Sequence, residues 1–326
     1  MRHGLMLLVH RLFYSKLKKG KVVYSLAMYL FLCTVSFVFL FPFLYMIVTS
    51  IKSYADLTDI SVNWVPKAPT VYNYVKAFDT VNYLPHFLIS AGLTVACILA
   101  KLFICSYIAY GFARFHFAGR GLLFGIVILT MIMPVQTVLL PQYIQFARMG
   151  WVGTALPILI PQLFGFGLKG GVFIFVFRQF FLSIPKSLEE AAKLDGCGHI
   201  RTYARIALPT ARSAIIITIV LAMVWCWNDY YEPAIYLKDI SVWPLPKMLE
   251  QVYYYYLAYK NPSMISDNYA LASEIRTMDP AALQHKIVSE GTLMAATFLV
   301  IVPVLIAYAF LQRRFIQGIE RSGLVD

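Results

Sequence analysis

Glu190-Ala191-Ala192, followed by Asp195-Gly196 and by Ile206, Leu208 and Pro209, sets out the spacing E-A-A-x3-G-x9-I-x-L-P without a gap. The chemistry these residues can do is recognition. Paired alanines make a flat surface that another protein can approach closely, while the carboxylates of Glu190 and Asp195 offer charge to basic residues on a partner. Ser187-x-x-Glu190 reads as a capping box, and Pro185 ends whatever precedes it. A helix is therefore expected through Glu189, Ala191, Ala192 and Leu194, closed by a turn in which Gly196 takes a positive φ. Ile200, Tyr203, Ala204 and Ala207 then recur at helical spacing up to Leu208-Pro209. A short helix lying across the end of a longer one is a rigid lever.

A second group could hold a small polar solute. Sugars present apolar CH faces and many hydroxyls, so aromatic planes and bidentate polar side chains suit them. Trp225, Trp227, Asn228, Asp229, Tyr230, Tyr231 and Glu232 cluster together, and Gln136, Gln142 and Tyr143 lie near Pro134 and Pro141. Trp and Tyr also belt the head-group zone of membrane proteins, a second reading of the same residues. Lys101 and Lys169 sit in apolar runs, where a charge faces a cavity or a partner. One of them lining a route would favour an acidic saccharide. Gly165-x-Gly167-x-x-Gly170 copies a dinucleotide fingerprint, but it follows no strand and lies in an apolar run, which points to close helix packing. No G-x4-G-K-[ST] occurs, so the chain has no phosphate loop with which to hydrolyse ATP by itself. The six histidines and five cysteines show no metal-ligand spacing, and no nucleophile–base pair stands out. A resident metal, a bound cofactor and an enzymatic role are not expected.

The elements that carry these residues are greasy. Apolar residues make up 60% of the 326 and charged ones 13%, about half the share usual in soluble domains. Runs long enough to cross a hydrocarbon core appear at Val22–Ile51, Phe87–Ala113, Gly121–Ala147, Thr154–Phe177, Ser213–Asn228 and Ile287–Gln312. Backbone groups in lipid must be satisfied internally, so these are read as helices of an all-α integral membrane protein with six transmembrane spans. Arg2, Arg11, Lys16, Lys18, Lys19 and Lys21 precede the first run, which is read as a retained anchor with its N-terminus in the cytoplasm. That choice puts 17 Lys/Arg against 5 Asp/Glu on the inside, and 9 against 10 on the outside. Both termini are then cytoplasmic, and the net charge of +12 is explained by an anionic leaflet without any nucleic acid. Residues 1–20 could lie as a basic amphipathic helix on that surface. Pro246–Tyr259 could form a short amphipathic helix, and Asp279-Pro280 could start another.

The loop pattern, together with Ile184-Pro185, Trp227-Asn228-Asp229-Tyr230 and the tail Gln312-Arg313-Arg314-Phe315-Ile316-Gln317-Gly318, resembles the carbohydrate branch of bacterial ABC importer permeases. That branch includes the smaller membrane subunit of maltose-type importers and its oligosaccharide and polysaccharide relatives. The resemblance covers roughly residues 22–326. It implies a type I importer fold in a bacterial plasma membrane. It also implies a heterodimer with a second permease, two ATPase subunits holding ATP and Mg, an external solute-binding protein and a carbohydrate substrate. The division it implies is a basic segment 1–21, a peripheral first helix 22–51, an outer loop 52–86, a five-helix core 87–312 and a cytoplasmic tail 313–326. Within the core lie a coupling loop at 182–209 and an outer loop at 229–286. The tail ending Glu320-Arg321-Ser322-Gly323 and the long last outer loop depart from the maltose-type pattern and bear on which solute is carried. Other readings are an ABC permease for a non-sugar solute and an ion-coupled secondary transporter. The latter needs inverted repeats and buried acids, whereas Glu290, near a helix end, is the one acid in the apolar runs.

Overall fold

The computed structural model describes residues 2–167, 169–260 and 288–322, with side chains for 24–167, 169–257, 260 and 288–316. Among the described residues every regular element is helical. In hydrocarbon a backbone finds no water to bond, so it closes its own ladder.

The chain opens with α1 (Arg2–Ser50), whose stretch Tyr24–Ser50 is long and apolar enough to cross a bilayer. Two short helices, α2 (Tyr54–Thr58) and α3 (Tyr72–Thr80), follow in the first connection. Next comes α4 (Tyr83–Arg114), which is long enough to cross and holds a π turn at Lys101–Cys105. The third apolar run is split into α5 (Arg120–Ile132) and α6 (Val135–Arg148), 101° apart. Met133, just before Pro134, is extended at φ −65 and ψ 125, the conformation a following proline imposes. The run expected over Gly121–Ala147 is thus a bent pair of helices and not one straight helix.

The fourth run is also broken. After α7 (Leu156–Leu159) and a 3-10 turn at Pro161–Phe164, the backbone turns left-handed at Gly165, Gly167 and Lys169. Only then does α8 (Gly170–Ser183) begin, so Lys169 caps a helix instead of lying inside one, and the expected span Thr154–Phe177 shifts towards Ser183. The glycines serve this turn and the packing beside it. A Cβ at Gly171 would stand 2.7 Å from the Thr130 hydroxyl of α5. Then come α9 (Lys186–Leu194), bent 76° from α8, and α10 (His199–Thr210), bent 77° from α11 (Arg212–Trp227). Beyond these stand α12 (Tyr231–Tyr236), α13 (Leu245–Lys260) and α14 (Glu290–Ser322), which contains a third long apolar stretch.

Two clusters hold the bundle together. At the end that carries α9 and α10, Ala109, Tyr110 and Ala113 of α4 pack with Phe173, Phe177 and Phe181 of α8 and with Ala207 and Ala214. At the opposite end, Ala295, Ala296 and Val300 of α14 meet Trp227, Leu245, Met248 and Val252. Lipid tails are as apolar as leucine, so small residues that let helices close up replace the hydrophobic drive that water supplies. The Tyr45 hydroxyl donates to Glu290 Oε1 at 2.8 Å, tying α1 to the start of α14. The Asn73 amide donates to the carbonyls of Ser50 and Lys52, closing the end of α1. The amphipathic helix expected over Pro246–Tyr259 is present as α13. The helix expected from Asp279-Pro280 lies outside the described residues. So do the side chains of the basic segment and of the tail from Gln317.

Candidate functional site

The loop between α8 and α11 is shaped by its prolines and glycines. Ile184 and Pro185 are extended, and α9 starts at Lys186 with Pro185 as its N-cap. The capping box expected from Ser187 is therefore not formed: Ser187 already lies in the first turn, and no side chain caps the helix. At the other end Gly196 takes φ +77, its N–H donates to Lys193 O at 3.0 Å, and Cys197 N–H donates to Ala192 O at 2.9 Å. These wrap-around bonds satisfy carbonyls that a helix end leaves open. A Cβ-bearing residue at Gly196 would be strained.

This arrangement gives the loop two faces. Glu190, Ala191, Asp195, Gly196 and Pro209 are exposed, Ile206 and Leu208 are half-buried, and Ala192 is buried. Beside the exposed carboxylates stand two bare apolar side chains, Leu194 at 90% exposure and Ile200 at 69%. The inward face is anchored by Glu189. Its Oε1 lies 2.7 Å from Arg114 Nε at the end of α4, with the two side chains 9% and 7% exposed. Arg114 Nη2 also donates to Ile184 O at 2.7 Å, and the Tyr110 hydroxyl donates to Glu189 Oε2 at 3.4 Å. One guanidinium thus bolts α4 to both the entrance and the body of α9.

Tyr203 of α10 makes the second anchor. Its hydroxyl hydrogen-bonds the Ser106 hydroxyl at 2.7 Å, and its ring packs on Tyr107, Tyr110 and Phe181. A π turn, Tyr203–Ala207, begins at this residue, and the π turn of α4 ends one residue before Ser106. Such turns insert one residue into a helix and recur at functional sites. Arg114, Ser106 and Tyr110 are absent from the residues singled out by sequence. The signal available was a basic residue at the end of one apolar run and adjacent glutamates at the end of another.

The candidate pathway residues are scattered over several environments. Trp225 is half-buried and carries the Lys169 ammonium 4.3 Å above its ring. Trp227 is buried and donates through Nε1 to Val300 O at 3.0 Å. Asn228 is exposed and bonds back to Val224 O, Asp229 accepts from Tyr231 N–H, and Tyr230 lies beneath the Lys247 ammonium. Gln136 is exposed at the start of α6. Further along α6, Gln142 accepts from the Tyr236 hydroxyl at 3.5 Å, and Tyr143 packs beside Leu139 and Phe146. Lys101 is 1% exposed; its ammonium donates to Gln162 Oε1 at 2.9 Å and sits 5.2 Å from the Phe173 ring. Gln162 in turn donates to Cys97 Sγ and Ile158 O.

Between α4, α11 and α12 a cavity of about 20 Å³ is lined by Ser90, Cys97, Gln162, Cys226, Asp229 and Glu232, room for a single water. Burial pushes the Glu232 carboxyl, on α12 outside the spans, above the usual carboxylate range, and the Asp229 charge adds to the push. Lys169 with Trp225 and Asp229 with Glu232 are thus brought together, while Lys101 is enclosed and Gln136 stands apart. Among the described residues no three His, Cys, Asp or Glu side chains converge as metal ligands.

Residues 102–321, from the π turn of α4 to the end of α14, match the family described as "Binding-protein-dependent transport system inner membrane component". The chain belongs to this family. The match takes in Arg114, Glu189, Tyr203 and the whole loop. Full-length relatives agree with it. The chain is 29% identical over 303 residues to "Protein LplC" of Bacillus subtilis (strain 168), covering 92% of this chain and 94% of the relative. It is 26% identical over 305 residues to "Arabinooligosaccharides transport system permease protein AraQ" of the same organism, covering 93% and 96%. "Polygalacturonan/rhamnogalacturonan transport system permease protein YtcP", also of that organism, is 26% identical over 296 residues, covering 91% and 96%. A chain of the solved structure titled "Crystal structure of a bacterial ABC transporter involved in the import of the acidic polysaccharide alginate" shares the fold. Its TM-score is 0.72 at 23% identity, over 90% of this chain and 96% of that one.

Proposed function

We propose that this chain is one of two permease subunits of an ABC importer for an oligosaccharide or related carbohydrate, six-spanning with both termini in the cytoplasm. The first span stands at the edge, and the loop over 182–209 is its coupling element. The observation that carries this reading is the two-faced loop. Glu190, Asp195, Leu194 and Ile200 are offered outward, while Glu189 and Tyr203 are locked into α4 and α8. A loop so built transmits force: what pushes its outer face moves α4 and α8 through a buried ion pair and a tyrosine plug. The engine is a pair of separate ATPase subunits holding ATP and Mg, and an external binding protein delivers the solute. Relatives named for arabinooligosaccharides and for polygalacturonan or rhamnogalacturonan support a carbohydrate.

The route is proposed to pass the broken segment before α8, where the exposed Lys169 lies on Trp225. An ammonium over an aromatic plane suits a sugar ring that bears a carboxylate. Lys101, enclosed with Gln162, is kept out of that route.

A cysteine at Asp195, exposed and with an ordinary backbone, in a transporter otherwise free of cysteine, tests the coupling role. It should crosslink to the ATPase, and the crosslink should stop ATP-driven uptake. Transport that persists without ATP and collapses with the ion gradient, by a chain that purifies alone, would mark a secondary transporter instead. In the same assay Lys169→Met should reduce uptake of uronate-containing oligosaccharides more than of neutral ones. Equal effects would remove the acidic preference, and uptake of a non-sugar solute alone would overturn the carbohydrate assignment.

A further inference from the structure

We propose that Arg120 and Arg178 form a site between α5 and α8 for the phosphodiester headgroup of an anionic phospholipid. Arg178 lies five residues before the end of α8, roughly 8 Å from the bundle end that carries the loop. Its guanidinium lies over the Phe124 ring, 4.1 Å from the centroid, so its plane is set by packing. Its Nε is buried and has no hydrogen-bond partner, a costly state for a cationic donor. Arg120, a second cation, stands four residues before Phe124 on the same face of α5, its Nη1 donating to Phe115 O at 3.1 Å. Among the described residues neither arginine is paired with a carboxylate. Supply is short as well: no Asp or Glu occurs between Asp79 and Glu189, and Glu189 is held by Arg114.

Two neighbouring cations with no carboxylate partner call for an anion from outside the chain. A phosphodiester answers both, because a fixed guanidinium fork matches its oxygens. The anion available at this depth is lipid. Leu122, Leu123 and Ile126 lie exposed on α5 next to the pair, giving an acyl chain an apolar track away from the headgroup. Basic pockets between helices near the membrane surface hold lipid headgroups in this way. The site depends on the bilayer and not on what is transported.

The test uses the assembled transporter in mild detergent, with native mass spectrometry counting bound lipid during titration by phosphatidylglycerol, phosphatidylcholine or inorganic phosphate. Phosphatidylglycerol should bind in preference to phosphatidylcholine. Arg178→Gln should weaken it about fivefold, and the double variant with Arg120→Gln about 25-fold, while phosphatidylcholine is unaffected. Photoreactive phosphatidylglycerol on the unmodified transporter should label residues 120–126 or 174–182, a readout that no misfolded variant can confuse. Equal retention of the two lipids, labelling elsewhere only, or displacement of the lipid by millimolar inorganic phosphate would overturn the site. So would a crosslink showing that an acidic residue of another subunit occupies it. Uptake need not be measured, so failure here leaves the transport reading standing, and failure of transport leaves this site standing.

Discussion

The pair Arg114–Glu189 is the residue on which most else leans. Both side chains are buried, and the guanidinium also donates through Nη2 to Ile184 O. Removing one partner of such a pair leaves an uncompensated charge, at a cost of about 3–5 kcal/mol, whereas replacing both with apolar residues of similar size can be nearly neutral. Arg114→Met and Glu189→Leu alone should each lower the melting temperature of the assembled complex sharply, and the double variant should regain most of the loss. If the double variant is as unstable as the singles, packing and not charge governs this contact. Glu190 next door is exposed, so Glu190→Gln should leave the melting temperature of the isolated permease subunits unchanged and, under the proposed coupling role, weaken retention of the ATPase on co-purification. Two adjacent glutamates thus differ in environment, one holding the loop from within and the other open to solvent.

Among the elements, α10 is the one that would carry displacement into the bundle in the coupling role proposed above. Tyr203 fills a socket made by Ser106, Tyr107, Tyr110 and Phe181. Tyr203→Phe keeps the ring and loses one hydrogen bond, a change of about 1 kcal/mol. Tyr203→Ala empties the socket, a loss of about 3–5 kcal/mol by analogy with other large-to-small core changes. The phenylalanine variant should retain transport per ATP hydrolysed. The alanine variant should hydrolyse ATP while importing little, as measured by parallel phosphate-release and uptake assays on the same vesicles. Much of this element was legible in the sequence: the helix from Ile200 to Ala207, the turn at Gly196 and the outward Glu190 follow from periodicity and glycine chemistry. Its anchoring was not, because Tyr203 and Ser106 stand 97 positions apart and only folding brings them together. The breaks at Met133-Pro134 and at Gly165–Lys169 were hidden for another reason. Hydropathy averages over a window and reports that a run is apolar, not whether it stays straight. The prolines and glycines marking both breaks were visible, but prolines inside α1 and α14, Pro42 and Pro303, leave those helices unbroken.

At the scale of the whole molecule, three uninterrupted helices and three bent pairs share one bundle. The straight members α1 and α14 are joined at one end by Tyr45 and Glu290, whereas the elements proposed above to move are the straight α4 and α8, one member of a bent pair. The π turn within α4 has a consequence for the length of that helix. Each residue advances the ladder by about 100°, so the extra one swings Ser106, Tyr110 and Arg114 as a block relative to Ser90 and Cys97. The number of residues from Tyr83 to Arg114 is thus a matter of phase and not only of bilayer thickness. Deleting Ile108, in the regular turns beyond the π turn, would shorten the crossing by about 1.5 Å, which lipid tolerates, yet turn Tyr110 and Arg114 by about 100° away from the loop. Such a variant should insert normally and fail to retain the ATPase on co-purification, whereas a deletion in the lipid-exposed half of α1 should pass unnoticed.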